Sequence, residues 1–155
     1  MHRFNLSNVQ FEYDPSDPEG YRSGRARKIA RGTALRTGAS VYELPAGQAI
    51  CPYHYELSEE EWLLVLEGRP TLRTPAGEEQ LDPPDLIFFP TGPEGAHKVT
   101  NETDSVVRVV MWSEVLYPAA TVYPDSDKLG VFTADRADNL MVRRSSGVEY
   151  FDGET

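Results

Sequence analysis

Residues 47–68 read GQAICPYHYELSEEEWLLVLEG, and this stretch decides how the rest of the chain is interpreted. It contains His54, one of three histidines. Carboxylates cluster behind this histidine, at Glu56, Glu59, Glu60 and Glu61, and a solid apolar run follows over residues 62–66. Imidazole nitrogen and carboxylate oxygen are common ligands of divalent metals. Their arrival together before an apolar segment therefore indicates a candidate metal site.

Two conformations compete for the apolar run. Ser58 followed three residues later by Glu61 fits a helix capping box, and Gly68 would end such a helix. Residues 62–66, however, are apolar all round and show no polar face at the helical period of 3.6. The run is short and leads into Gly68-Arg69-Pro70, which favours a turn into another extended segment. We therefore favour a β-strand.

The rest of the chain is cut into short pieces by 12 glycines and 12 prolines. Strand-like patterns occur at residues 33–44, 71–81, 86–89, 96–101 and 106–112, with weaker ones at 1–13, 140–143 and 148–151. Residues 71–81 are predicted to form a hairpin with its turn at Pro75-Ala76-Gly77. The segment after Ser113 is broken by prolines and is expected to be irregular and semi-extended. About seven to ten short strands with turns between them indicate an all-β sandwich or barrel.

Composition narrows the class of protein. The 155 residues suit one domain with its own core. A net charge of −10 argues against nucleic acid or an anionic membrane as a partner. No apolar run approaches the roughly 18 residues that span a bilayer, and the N-terminus lacks the apolar region of a signal peptide. We expect a cytoplasmic protein, since the single cysteine, Cys51, forms no internal disulfide.

A basic patch near the N-terminus stands out in so acidic a chain. Its members are Arg22, Arg25, Arg27, Lys28 and Arg31. We favour a solvated arm that neutralises the acidic surface of the protein over an anion-binding site.

Residues 47–68 and residues 90–101 resemble, in this order, the two sequence motifs of the cupin superfamily. The first motif of that family has the form G(X)5HXH(X)3–4E(X)6G. Here Gly47 is followed after six residues by His54, Glu56 occupies the position of the second histidine, and Glu61 and Gly68 complete the motif.

The second family motif contains PXG(X)2H(X)3N. Residues 90–92 match its PXG part, and His97 and Asn101 match its H(X)3N part, with two extra residues between Gly92 and His97. The resemblance implies a double-stranded β-helix, a jelly-roll barrel, with extended arms at both termini. The expected divisions are an N-terminal arm over 1–32, the cupin barrel over 33–113 and a C-terminal extension over 114–155.

The resemblance also implies a metal site. Its ligands would be His54, Glu61 and His97, with Glu56 in the position of a family histidine. Because residues i and i+2 of a strand share a face, His54 and Glu56 should point together. Glu59, Glu60 and Glu67 are expected to lie on solvated surfaces.

Glu56 leaves two alternatives open. As a ligand it would make a neutral site, which is a weaker Lewis acid than one with three histidines and favours Mn²⁺ or Fe²⁺, with Zn²⁺ and Ni²⁺ as alternatives. Otherwise the remaining three residues form an open triad suited to Fe²⁺ chemistry, and Glu56 is a candidate catalytic general base whose pKa an apolar pocket would raise.

Three functions are compatible with the sequence. The first is a metalloenzyme acting on a small organic molecule, as a dioxygenase, lyase or isomerase. The second is a non-catalytic module that binds or senses a small molecule or metal, and the third is a structural role with no bound ligand.

A homodimer is expected from the other face of the strand at residues 62–66. If Glu61, Leu63 and Val65 point inward, then Trp62, Leu64 and Leu66 point outward and need a cover. The cover could be the N-terminal arm, the C-terminal tail or a second subunit. We predict a second subunit, with residues 1–30 or the YPDSD segment crossing over.

Overall fold

The computed structural model describes residues 1–26 and 36–154, and these residues form twelve β-strands. The strands are β1 Gly24–Ala26, β2 Thr37–Leu44, β3 Tyr55–Glu56, β4 Glu61–Glu67, β5 Thr71–Thr74, β6 Gly77–Gln80, β7 Leu86–Phe89, β8 Lys98–Thr100, β9 Val107–Glu114, β10 Ala119–Tyr123, β11 Lys128–Phe132 and β12 Leu140–Arg143. Helical structure in these parts of the chain is confined to single 3-10 turns, such as Pro93–Gly95 and Arg136–Asp138. None of their helices is long and apolar enough to cross a membrane.

The strands form three antiparallel sheets. A five-stranded sheet has the order β1-β2-β9-β4-β7, a three-stranded sheet the order β6-β5-β8, and a four-stranded sheet the order β12-β11-β10-β3. The predicted all-β jelly-roll fold is confirmed.

The core lies between the five-stranded and three-stranded sheets. It contains Leu44, Leu63 and Val65 from the larger sheet and Leu72 and Val99 from the smaller one, all almost completely buried. Burying a side chain of this size stabilises the folded state by about 1.5–3 kcal/mol. The barrel is thus closed by apolar packing, and polar side chains that enter it need partners of their own.

Strand β4 confirms the choice of strand over helix for the apolar run. Leu63 and Val65 are fully buried, whereas Trp62, Leu64 and Leu66 are half-buried on the opposite face. Gly68 ends the strand with a φ of +76°, and a Cβ there would lie 2.6 Å from the carbonyl oxygen of Val106. The glycine is therefore required by both backbone conformation and space.

The N-terminal arm covers part of the outward face. Leu6, Val9 and Phe11 pack on the same small cluster as Leu64 and Leu66. The arm is anchored by the Tyr13 hydroxyl, which donates a hydrogen bond to Glu43, and by β1, which pairs with β2. Of the three covers predicted for this face, the structure shows one, the N-terminal arm of the same chain.

Several predictions about the terminal segments need correction. Residues 119–132, expected to be irregular, form the hairpin β10–β11, and β10 pairs with β3. Residues 1–13 form a single bridge, between Glu12 and Arg25, rather than an edge strand. Residues 148–151 form no strand, whereas the strand predicted at 140–143 is present as β12.

Two predictions fall partly outside the described residues. The strand predicted over 33–44 is observed as β2, and residues 33–35 lie outside them. Of the basic patch, Arg27, Lys28 and Arg31 also lie outside them, while Arg25 forms an ion pair of 2.6 Å with Asp17. The division of the chain at residues 32 and 113 stays a prediction.

Candidate metal centre

The barrel brings the two motif histidines directly opposite each other. His54 and His97 form an antiparallel bridge in which each backbone N–H donates to the other residue's carbonyl, at 3.1 and 2.8 Å. Both residues are buried, and their ring centroids are 4.6 Å apart. Two imidazoles from segments about forty residues apart therefore share one point in the barrel.

The backbone fixes which nitrogen of each imidazole carries a hydrogen. Nδ1 of His54 lies 3.0 Å from the carbonyl oxygen of Pro52, and Nδ1 of His97 lies 2.9 Å from that of Gly95. A carbonyl oxygen only accepts hydrogen bonds, so Nδ1 is the donor in both rings. In the neutral rings Nε2 then holds the lone pair, which is the form that binds a metal.

Glu61 completes a compact group of three. Its Oε2 atom lies 3.6 Å from Nε2 of His54 and 3.7 Å from Nε2 of His97. One ligand atom from each residue lies within 4.8 Å of the other two. Strand β4 positions the carboxylate, because Glu61 stands on the same face as the buried Leu63 and Val65.

The donor set fits a divalent metal. Oε2 of Glu61 and Nε2 of His97 are buried and have no hydrogen-bond partner among the described residues. An unsatisfied buried polar atom costs about 1–3 kcal/mol, so two facing each other across a small gap need an explanation. A metal at about 2.0–2.2 Å from each ligand atom would satisfy both. Metal binding by these residues stays a prediction that this geometry supports.

Glu56 lies beside this group. One of its oxygens is 3.7 Å from Nε2 of His54, in line with the shared face that their spacing predicts. The hydroxyl of Thr121, in β10, donates to the carboxylate and lies 2.9 and 2.7 Å from its two oxygens. The compact group of three forms without Glu56. Coordination of a metal by Glu56 stays a prediction.

The electrostatics set the two carboxylates apart. Burial raises the pKa of Glu56 to about 7, and the charge of Glu61 contributes to the rise. Burial also tends to raise the pKa of Glu61, but His54 and His97 reverse this effect and leave its pKa below the usual value. Near neutral pH, Glu61 is therefore ionised, whereas Glu56 lies close to the midpoint of its titration.

The histidines also differ. Burial lowers the pKa of His97 to about 4, so its lone pair is available at neutral pH. Burial likewise acts to lower the pKa of His54, but Cys51 and Glu61 raise it well above the usual value. Metal binding at Nε2 of His54 therefore competes with protonation of this ring.

A pocket of about 550 Å³ opens next to this group. His54 and Glu56 form part of its wall, together with Thr121 and Tyr123 of β10. Tyr123 also stacks on the His54 ring, with centroids 6.0 Å apart. The loop after β11 contributes further lining residues, namely Thr133, Ala134, Arg136 and Asn139. A pocket of this size suits a small organic ligand.

Several of these wall residues were missed by the sequence analysis. Thr121, Tyr123 and Arg136 lie in a part of the chain where prolines suggested irregular structure. The available signal was the alternation of polar and apolar residues in Thr121-Val122-Tyr123, next to a Pro-Asp-Ser turn. Nothing in the local sequence connects Thr121 with Glu56.

The three glutamates that were predicted to be solvated differ in their exposure to solvent. Glu60 and Glu67 are exposed, and Glu67 pairs with Arg108 at 2.9 Å. Glu59 was also expected to be solvated, but it is half-buried, lines the pocket and accepts a hydrogen bond of 2.7 Å from the backbone N–H of Leu116. It therefore belongs to the mouth of the site.

An antiparallel β-barrel with a histidine–carboxylate group inside defines a class of small jelly-roll proteins. Residues 40–113 match the family model described as Cupin domain, so this part of the chain is similar to the cupin family. No curated protein sequence matches the chain.

Solved structures show the same fold. A sugar phosphate isomerase of the cupin superfamily from Silicibacter pomeroyi matches with a TM-score of 0.81 and 20% identity, over 97% of this chain and 98% of that chain. A protein from Acidithiobacillus ferrooxidans, described as a candidate sugar phosphate isomerase, matches with a TM-score of 0.78 and 20% identity, over 93% of this chain and 91% of that chain. A polyketide cyclase from Streptomyces resistomycificus matches with a TM-score of 0.63 and 22% identity, over 77% of this chain and 83% of that chain. At these identities the similarity concerns the fold.

Proposed function

We propose that this protein is a metal-dependent isomerase that moves a carbonyl group between adjacent carbons of a small hydroxylated substrate of the sugar phosphate class. One observation carries the proposal. The carboxylate of Glu56 lies in the wall of a pocket of about 550 Å³, 3.7 Å from His54 and held by the Thr121 hydroxyl. A proton-transfer group beside a candidate metal centre is the arrangement that carbonyl–hydroxyl isomerisation requires.

The chain's own residues account for the proton transfers. Glu56 would take the proton from the carbon beside the substrate carbonyl and return it to the former carbonyl carbon. A hydroxyl proton passes between the two oxygens, so atoms balance and no oxidant or reductant is needed. Thr121 keeps the Glu56 carboxylate oriented during both transfers.

The three clustered side chains have a separate task. A divalent metal held by His54, Glu61 and His97 would polarise the substrate carbonyl and stabilise the charge that develops on its oxygen. Two imidazoles and a carboxylate favour Mn²⁺ or Fe²⁺, with Zn²⁺ and Ni²⁺ as alternatives.

The sugar phosphate class is supported by two further points. Two proteins share the fold over more than nine-tenths of this chain; one is described as a sugar phosphate isomerase and the other as a candidate sugar phosphate isomerase. The pocket wall also carries hydrogen-bonding side chains, including Thr121, Tyr123, Thr133 and Asn139, which suit a substrate with several hydroxyl groups.

Isotope exchange tests the proposal directly. Protein stripped with chelator and reloaded with Mn²⁺ or Fe²⁺ is incubated with aldose and ketose phosphates in D₂O, and deuterium at the exchanging carbon is followed by NMR. We expect Glu56→Gln to lower the rate by about 10²–10⁴-fold with metal content unchanged. Glu60→Gln, an exposed acid four residues along, is the matched control. Tight binding with no exchange in the wild type would instead support a non-catalytic binding protein.

We also propose a homodimer formed through the part of the outward face that the N-terminal arm leaves open. Trp62 stacks on Trp112, with ring centroids 6.0 Å apart, and contacts Phe88 in a tilted arrangement, with centroids 4.8 Å apart. Leu86 and Phe88, in the edge strand β7, are 55% and 41% exposed. An aromatic cluster at an open sheet edge favours pairing with a second copy.

A further inference from the structure

The loop after β11 places one cation in the pocket wall. Among the described residues that line the pocket, Arg136 is the only lysine or arginine. The carboxylates in the same wall are Glu56, Glu59 and Glu114. Arg136 forms no ion pair with any residue of the described segments, these three included. Its positive charge is therefore available to interact with a ligand.

The loop that carries Arg136 is held in place by its own hydrogen bonds. The backbone N–H of Thr133 donates to the side-chain oxygen of Asn139 at 2.9 Å. The Thr133 hydroxyl donates to the carbonyl of Asp135, whose carboxylate accepts from the N–H of Ala137 at 3.0 Å. The backbone on both sides of Arg136 is thus fixed, which reduces the entropy lost when its side chain binds a ligand.

An arginine in the wall of an acidic pocket, with no ion pair to any described residue, favours one kind of ligand. Its planar fork of donors matches the oxygens of phosphate or carboxylate. The surrounding carboxylates and the net charge of −10 repel an anionic ligand unless a local cation compensates. Glu56 and Arg136 line the same pocket of about 550 Å³, so one small molecule can contact both.

We propose that Arg136 binds the anionic end of the substrate, a phosphate or a carboxylate, while the opposite end reacts beside Glu56. The reacting end rests on the proposed function, whereas the anion site does not. Arg136 is accordingly a specificity-determining residue supplied by the C-terminal extension.

Calorimetric titration with three probes tests this assignment. The probes are D-ribose 5-phosphate, D-riburonate and D-ribose, which share a five-carbon chain and a C1 carbonyl and differ in carrying a phosphate, a carboxylate or an uncharged hydroxyl at C5. We expect Arg136→Ala to weaken binding of the preferred anion by about 10- to 100-fold, the value of a charged hydrogen-bonded contact, and to leave ribose binding unchanged. Arg136→Lys should retain part of the affinity, and Arg144→Ala, an exposed arginine of the same extension outside the pocket wall, should retain all of it.

The outcomes separate the two proposals. The larger loss between the phosphate and carboxylate probes identifies which anion Arg136 recognises. Equal binding of both anions to wild type and Arg136→Ala would overturn the anion site, as would a wild type that binds neither anion better than ribose. Arg136-dependent binding without isotope exchange would overturn the isomerase and leave the anion site standing. If deuterium exchange occurs at the same rate in wild type and Arg136→Ala, the anion site would be overturned and the isomerase would stand.

Discussion

The two histidines are prepared for ligation by their immediate backbone. Each Nδ1 faces the carbonyl of the residue two positions earlier, Pro52 for His54 and Gly95 for His97. Both side chains can therefore present Nε2 to Glu61. The resemblance to the cupin motifs pointed to the same three residues that the structure brings together, His54, Glu61 and His97.

Removing one histidine should abolish metal-dependent stabilisation. Free metal at 100 times its Kd stabilises the wild type by about 2.7 kcal/mol, which raises Tm by about 5–10 °C in a chain of this size. We expect no such rise in His97→Gln, measured by calorimetry after chelation and reloading. Because metal competes with a proton for His54, the wild-type rise at one fixed metal concentration should be larger at pH 8 than at pH 5.5. An equal rise in His97→Gln would contradict this ligand assignment.

Glu56 should make the metal-free protein less stable as pH rises. Its folded pKa of about 7 lies above the usual 4.5, so the folded state holds the proton more tightly than the unfolded state. Stability is then fully present below pH 4.5 and is lost as pH rises through 7, by about 3 kcal/mol in total. Glu56→Gln has no carboxylate to ionise, so its advantage over wild type should grow across this range in urea denaturation. A constant difference between the two proteins would show that Glu56 titrates normally.

At the level of elements, strand β10 links the C-terminal extension to the candidate centre. It pairs with β3, so that Thr121 lies opposite Glu56 and its hydroxyl reaches the carboxylate. A hydroxyl that donates to a carboxylate stabilises the ionised form and lowers its pKa.

Replacing Thr121 should therefore raise the pKa of Glu56 further. We expect Thr121→Val to move the midpoint upward from about 7 by about one pH unit, the equivalent of one charged hydrogen bond. Thr121→Ser keeps the hydroxyl and should leave the midpoint unchanged. Carbon-detected NMR of the Glu56 carboxyl in the metal-free protein measures both, and an unshifted midpoint in Thr121→Val would contradict the role assigned to the hydroxyl.

Elements differed in how well the sequence could predict them. Strand β4 was predictable because its apolar run had no helical period, and its alternation correctly separated Leu63 from Trp62. Hairpin β10–β11 was not, because Pro118 and Pro124 stand at the ends of β10 and mask a five-residue strand. The contact between Thr121 and Glu56 spans 65 residues and depends on sheet pairing, which local patterns do not encode.

At the scale of the molecule, the exposed aromatic edge should control oligomeric state. We expect light scattering to give twice the chain mass of 17.4 kDa for wild type, and a shift towards the single-chain mass for Phe88→Glu. Met141→Glu changes a similarly exposed apolar residue on β12 and is the control. A wild type of single-chain mass at micromolar concentration would rule out the dimer.

The site is assembled from two stretches of chain that have different tasks. The clustered side chains of His54, Glu61 and His97 lie within residues 40–113, whereas Thr121, Tyr123 and Arg136 belong to the β10–β11 hairpin and the loop behind it. Such a division makes the second stretch exchangeable. Grafting residues 115–139 from a cupin of the same architecture should alter which molecules are accepted while the histidine–carboxylate group is inherited intact. Substrate choice in such proteins can thus diversify by recombination at one strand pair, β3 with β10.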